Sequence, residues 1–129
     1  GPDGISEAEM VDMKLAEQAV KSLWRDTMTV VEHQKVKKKN GVTGFEDVAV
    51  MEGEPCKLIF KTLQATDQKE AAGLTQGVKL LCDKTLAIPE GSKILVLHED
   101  KETAYKQSGK PAVYSVHQEI MLELFERWA

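Results

Sequence analysis

The chain has 129 residues, 42% of them hydrophobic and 29% charged, with a formal net charge of −4. That is one domain's worth of sequence, apolar enough to build a core without disulfide staples and too apolar for an intrinsically disordered chain. The acidic balance lacks the basic excess of a duplex-binding domain, 5% aromatics leave few rings for stacking bases, and no apolar run approaches the ~20 residues that span a bilayer.

Gly1-Pro2 reads as the scar of a protease-cleaved tag, so residues 1–5 are set aside as a flexible lead, with Met10 and Met13 both candidate native starts. The start of the chain also lacks the basic-then-apolar layout of a signal peptide, so a soluble, intracellular protein is expected. Residues 6–25 form the one predicted helix. Ser6 and Glu9 have capping-box spacing, and Met10, Met13, Ala16, Val20, Leu23 and Trp24 recur every three to four residues as one apolar stripe. That stripe is expected to lie across one open end or one face of the β-structure built by the rest of the chain.

Residues 27–129 read as β throughout. The first strand runs from Thr27 to Lys37, and Lys37 to Asn40 with Gly41 makes a solvent-exposed hairpin tip leading to a partner strand from Phe45 to Met51. Glu52-Gly53-Glu54-Pro55 reads as a turn into a third strand, Cys56 to Leu63, with Cys56, Leu58 and Phe60 on one face. A polar stretch without period, 64–73, then interrupts two strand-like runs, and a loop of that length in a small domain is more often functional or disordered than incidental. Strands follow at Leu74 to Cys82, Lys93 to His98, Glu102 to Gln107 and Tyr114 to Phe125, separated by turns at Pro89-Glu90-Gly91, Glu99-Asp100-Lys101 and Ser108-Gly109-Lys110-Pro111. Short strands with a turn every eight to twelve residues predict a mainly β, single-domain fold. We expect a small antiparallel β-barrel or sandwich of about six to seven strands, with one N-terminal α-helix and a long internal loop.

The chemistry-bearing residues do not form a convincing constellation. Ser115 and His117 stand two apart on a predicted strand, so they share a face, but their β-carbons are roughly 6–7 Å apart and no nucleophile elbow accompanies them. His33, His98 and His117 fall on three different strands without metal-ligand spacing, and the acidic pairs sit mostly in turns. Cys56 and Cys82 each lie in an apolar run and read as two buried thiols; a disulfide or a metal stays open as the alternative, without CxxC spacing to support it. We therefore expect no enzyme, no cofactor and no metal. Lys35, Lys37, Lys38 and Lys39 are the one basic cluster, either a solvated turn or a contact for nucleic acid or an acidic partner. The apolar ending, Ile120 to Ala129 with Phe125 and Trp128, implies insertion in the sheet, burial against another chain, or both.

Ile88-Pro89-Glu90-Gly91-Ser92-Lys93-Ile94-Leu95-Val96, then Tyr105, Ser108-Gly109-Lys110-Pro111, Tyr114 and His117-Gln118-Glu119-Ile120, resemble the head–tail joining, or head-completion, proteins of tailed phages and of phage-like elements in Gram-positive bacteria. Thr27 to Val31, Asn40-Gly41 and Glu54-Pro55-Cys56-Lys57-Leu58 fit the same pattern, so the resemblance covers most of the chain from about Thr27 onward. It implies a structural virion protein: a small barrel, monomeric in solution, that forms a ring under the portal and is made in the host bacterial cytoplasm. Its partners would be the portal or adaptor and tail-side proteins, with no specific nucleic-acid binding and no membrane. A mobile loop that orders on assembly is implied at Gln64, Thr66, Asp67, Gln68, Lys69 and Glu70, and partner-facing positions at Lys37, Lys38, Lys39, Phe125 and Trp128. The alternatives are a small OB-like nucleic-acid-binding barrel and a tail-completion or tail-terminator protein. A third reading is a small hydrolase using Ser115 and His117.

Overall fold

The structure, a computed structural model, describes residues 6–64 and 74–128. Its elements are α1 (Glu7–Lys21), β1 (Asp26–Lys37), β2 (Thr43–Gln64), β3 (Leu74–Asp83), β4 (Lys93–His98), β5 (Lys101–Gln107), β6 (Ala112–Val113) and β7 (His117–Leu124). The strands form one seven-stranded sheet in the order β3-β2-β1-β4-β5-β7-β6, and β3 also pairs with β7, so the sheet closes into a ring. All the pairings are antiparallel. Closure of this kind removes the exposed edges that an open sheet would offer.

Alternation along the strands determines what fills the ring. Met28 and Val30 of β1, Cys56 and Leu58 of β2, Leu80 and Cys82 of β3, Ile94 and Val96 of β4, Tyr105 of β5, and Ile120 and Leu122 of β7 form one buried cluster. Each pair is two residues apart, the period that puts side chains on one face of a strand. Leu86 and Ile88, in the connection between β3 and β4, pack against this cluster, and Gln118 Nε2 holds that connection by donating to Asp83 O at 2.8 Å and Leu86 O at 2.7 Å.

The predicted turn at Glu52-Gly53-Glu54-Pro55 is not a turn. β2 is a single 22-residue strand running through it, about 70 Å long if it were straight at ~3.3 Å per residue. Opposite β1, the register covers five steps on β2 (Ala49 to Glu54) against three on β1 (Val31 to Met28), so β2 carries two extra residues there. Gly53 takes φ +62°, which a side-chain-bearing residue adopts with strain. Turn residues are used here as a bulge that bends the strand. β2 pairs with β1 on both sides of the bulge as far as Cys56 and with β3 from Cys56 onward, so Cys56 is in register with both Asp26 and Cys82.

The helix forms as its sequence requires but does not pack as expected. Ser6 Oγ accepts from Glu9 N at 3.1 Å, and Ser22 caps the other end after Lys21, a few residues short of the predicted boundary. No helix residue is buried, and Met10, Met13, Val11 and Leu15 are exposed. Ion pairs from its last turns, Lys21 with Asp83 and Glu17 with Lys84, tie it to the end of β3, while Trp24 is buried just beyond it. The terminal strand also differs from expectation. Tyr114 N donates to His117 O at 2.8 Å, so a turn at residues 114–117 splits it into β6 and β7, and Ser115 and His117 do not share a strand.

Asp83 provides a pH handle on this architecture. The Lys21 ammonium, then the Thr85 hydroxyl and amide, bond its carboxylate and hold its pKa down at about 2, below the ordinary 3.8. A depressed folded-state pKa contributes stability that is present above pH ~4 and is lost as pH falls from ~4 towards ~2. Urea midpoints of the wild type and Asp83→Asn are therefore expected to differ at pH 6 and to converge near pH 2. Parallel curves across that window would contradict the assignment.

Candidate functional site

β2 is longer than the ring it belongs to, and its two ends are where the molecule presents unusual surface. β4 pairs with β1 only from Thr27 to Val31, so Glu32–Lys37 of β1 and Thr43–Val48 of β2 pair with each other alone and project as a two-stranded ribbon. At the other end, β3 pairs with β7 only from Val78 onward, leaving Lys61–Gln64 and Leu74–Gly77 as a second ribbon. Phe60, on the same face as buried Cys56 and Leu58, is 45% exposed because that row of β2 runs past the core as the strand approaches the ribbon.

The tip of the first ribbon is well defined by its hydrogen bonds. Gly41 N donates to Lys38 O at 2.9 Å, Lys38 N to Val42 O at 2.9 Å, and Val42 N to Asn40 Oδ1 at 3.0 Å, with Gly41 at φ +82°. This is a turn closed by a glycine in the left-handed region, the role the Asn-Gly pair suggests in the sequence. Gly44 leaves room for the Lys38 side chain, whose Cε would stand 2.7 Å from a β-carbon there. Lys35, Lys37, Lys38 and Lys39 are all exposed, next to exposed Val42 and Phe45.

The base of this ribbon rests on an aromatic shelf that the sequence does not reveal. The His33 ring stacks on Phe45 at 4.6 Å and on Trp128 at 4.9 Å, both nearly parallel, and Trp128 meets Phe125 edge-on at 4.9 Å. Lys93 Nζ lies 4.8 Å from the Phe125 ring centre and 5.3 Å from that of Trp128, distances at which a cation is attracted to a ring face. His33 Nδ1 is 2.9 Å from Asp47 Oδ1, and that bond, ahead of smaller contributions from Lys93 and Trp128, holds the Asp47 pKa below the usual carboxylate range. Phe125 and Trp128 are thus half-buried against their own chain, whereas Lys37, Lys38 and Lys39 are exposed. Trp128→Ala removes one wall of the His33 sandwich. It is expected to speed amide exchange of Glu32–Lys37 about tenfold, the equivalent of ~1.4 kcal/mol, and to leave ring amides such as Val96 unchanged. Equal exchange in both proteins would show that the shelf does not support the ribbon.

The histidines and cysteines are committed to structure. Each histidine has its own carboxylate: His33 with Asp47, His98 with Asp26 at 2.8 Å, and His117 with Glu119 at 3.1 Å. Among the described residues no three metal-ligating side chains converge. Asp26 and His98 form one wall of an open cleft of about 490 Å³ that Leu23, Arg25, Lys57 and Leu97 also line. Cys56 and Cys82 are direct cross-strand partners, although their separation in sequence gives no hint of it. Both are free and fully buried, and burial pushes each thiol up to about 12, which leaves no reactive thiolate at neutral pH. Of the expected assembly loop, Gln64 is the last residue of β2, opposite Leu74, and Thr66, Asp67, Gln68, Lys69 and Glu70 lie outside the described residues.

No protein-family model matches the chain, and no curated protein matches it. Among solved structures it is similar to the phage-like element PBSX protein xkdH from Bacillus subtilis. That likeness has a TM-score of 0.44 and 13% identity, covering 77% of this chain and 90% of the other.

Proposed function

We propose that this chain is a structural virion protein that joins a phage head to its tail, assembling as a ring subunit around the DNA channel between portal or adaptor and tail-side proteins. The observation that carries this reading is apolar surface that one copy leaves uncovered. Helix α1 exposes Met10, Val11, Met13 and Leu15, and the β1–β2 ribbon exposes Val42 and Phe45. Large apolar side chains exposed together on one element are the kind of surface that contacts with other macromolecules cover. The ribbon projects from a closed ring of strands, and the net charge of −4 suits a conduit that repels a passing duplex. In this reading the chain performs no reaction and needs no cofactor, and the resemblance in the Pro89–Gly91 turn and its following strand supports it.

The test is assembly with its neighbours. Sedimentation of the purified chain is expected to show a monomer at micromolar concentration and a ring-sized species once the portal-bearing head is added. Heads lacking the protein are expected to accumulate without tails. Normal tail joining in its absence would overturn the proposal. The gene order around it gives an independent check, with portal and capsid genes expected upstream and tail genes downstream.

The lysines at the hairpin tip favour a second reading, a small nucleic-acid-binding barrel. It requires duplex or single-stranded DNA to be retained at low salt and released by Lys37→Glu with Lys38→Glu.

A further inference from the structure

Two exposed surfaces of this molecule are complementary to one another and lie on separate elements. On α1, residues 10, 13, 17 and 20 follow the helical repeat and share a face. Towards the end of the helix that face meets the ring, where Glu17 pairs with Lys84 and Val20 is half-buried. Past the last contact it continues as Met13 and Met10, 46% and 44% exposed, bordered by Glu7 and Glu9, with Asp12 next to Glu9 further round the helix. None of these three carboxylates has an ion-pair partner among the described residues. The β1–β2 tip is the converse: Lys37, Lys38 and Lys39 are likewise without an ion-pair partner among the described residues and adjoin Val42 and Phe45, 56% and 60% exposed.

We propose that the exposed half of α1 in one copy docks on the β1–β2 hairpin tip of the next copy. The carboxylates of Glu7, Glu9 and Asp12 face the tip lysines, and Met10 and Met13 cover Val42 and Phe45. The occupant is a second copy because acidic and basic halves of one match, each bordered by apolar surface, are present on the same chain. A contact between two different patches is heterologous, and repeated head to tail it closes into a ring when the rotation permits. Exposed ion pairs add little affinity and are screened by salt, so the apolar residues supply the attraction and the charges select register and partner. The proposal rests on the ring-subunit reading and gives that ring a specific seam.

The seam is tested by charge reversal on the full-length chain, with circular dichroism as the check on folding. Association is read by sedimentation or on portal-bearing heads. Reversing the tip (Lys37→Glu, Lys38→Glu, Lys39→Glu) or the helix (Glu7→Lys, Glu9→Lys, Asp12→Lys) is expected to weaken association at least tenfold. Combining all six changes is expected to restore it. A chain carrying Met13→Cys and Val42→Cys is expected to give an oxidised ladder of multiples, which requires no change of charge. If the reversed chains form rings like the wild type, or the six-fold variant fails to recover and no ladder appears, the seam is wrong while the ring reading stands. If tip reversal abolishes only DNA retention, the seam is wrong and the tip is a nucleic-acid contact. A wild-type chain that never associates, even on portal-bearing heads, overturns the ring reading and the seam with it.

Discussion

Ile120→Ala is expected to lower unfolding stability by about 3–4 kcal/mol, a large fraction of the ~5–15 kcal/mol available to a domain of this size. Ile120 is fully buried, sits in the middle of β7, and is in register with fully buried Leu80 of β3. That pairing is the seam that closes the sheet. Truncation there removes three heavy atoms from a packed interior and leaves a cavity lined by strands that the rest of the ring holds apart, so little relaxation can fill it. The neighbouring Met121 supplies the control, since it is 39% exposed on the outer face of the same strand. Met121→Ala is expected to change stability by no more than ~0.5 kcal/mol. Urea unfolding of the two variants distinguishes the cases. A loss below ~1 kcal/mol for Ile120→Ala would mean that β3 and β7 do not close the ring.

The seam also marks the limit of what was legible in the sequence. Local signals were easily read: the Ser6–Glu9 cap, the Asn40-Gly41 tip, and the strands from Lys93 to His98 and near Glu102 to Gln107 are formed within a few residues of the positions that encode them. The alternation that fills the core also followed the two-residue period. What the residues do not encode locally is register. The pairing of Leu80 with Ile120, and of Cys56 with Cys82, depends on how distant strands slide past one another, which no short window contains. Gly53 and Pro55 are ambiguous for a related reason. A positive-φ glycine and a proline suit a tight turn and a bulge equally well, and the surrounding sheet decides between them. The helix shows the converse: its period announces an apolar face, yet periodicity cannot say whether the cover belongs to the same chain. The basic tip was visible as a lysine run, whereas its aromatic support needed His33, Phe45 and Trp128 to meet across three segments.

Asp26→Ala is expected to be the most costly single change at a polar position, at roughly 3–4 kcal/mol. Asp26 is 6% exposed, and both carboxylate oxygens are used: Oδ2 accepts from Leu58 N at 2.8 Å and Oδ1 lies 2.8 Å from His98 Nδ1. β1 begins at Asp26, so β2 continues past Cys56 with no further β1 residue opposite it, and the carboxylate takes over the Leu58 amide there. The same side chain reaches the last residue of β4, tying three strands together just beyond the bend in β2. Alanine would strand a buried amide and leave His98 without its partner, and unmade hydrogen bonds of this kind cost more than made ones contribute. Asp26→Asn separates geometry from charge, because an amide can accept from Leu58 N through its oxygen and donate to a neutral imidazole through its nitrogen. We expect it to retain most of the stability, with a loss near ~1 kcal/mol. His98→Ala in each background completes a double-mutant cycle, with a coupling of ~1–2 kcal/mol expected against Asp26→Ala and less against Asp26→Asn. Equal losses for Asp26→Ala and Asp26→Asn would mean that the negative charge itself, and not the two hydrogen bonds, holds the three strands together.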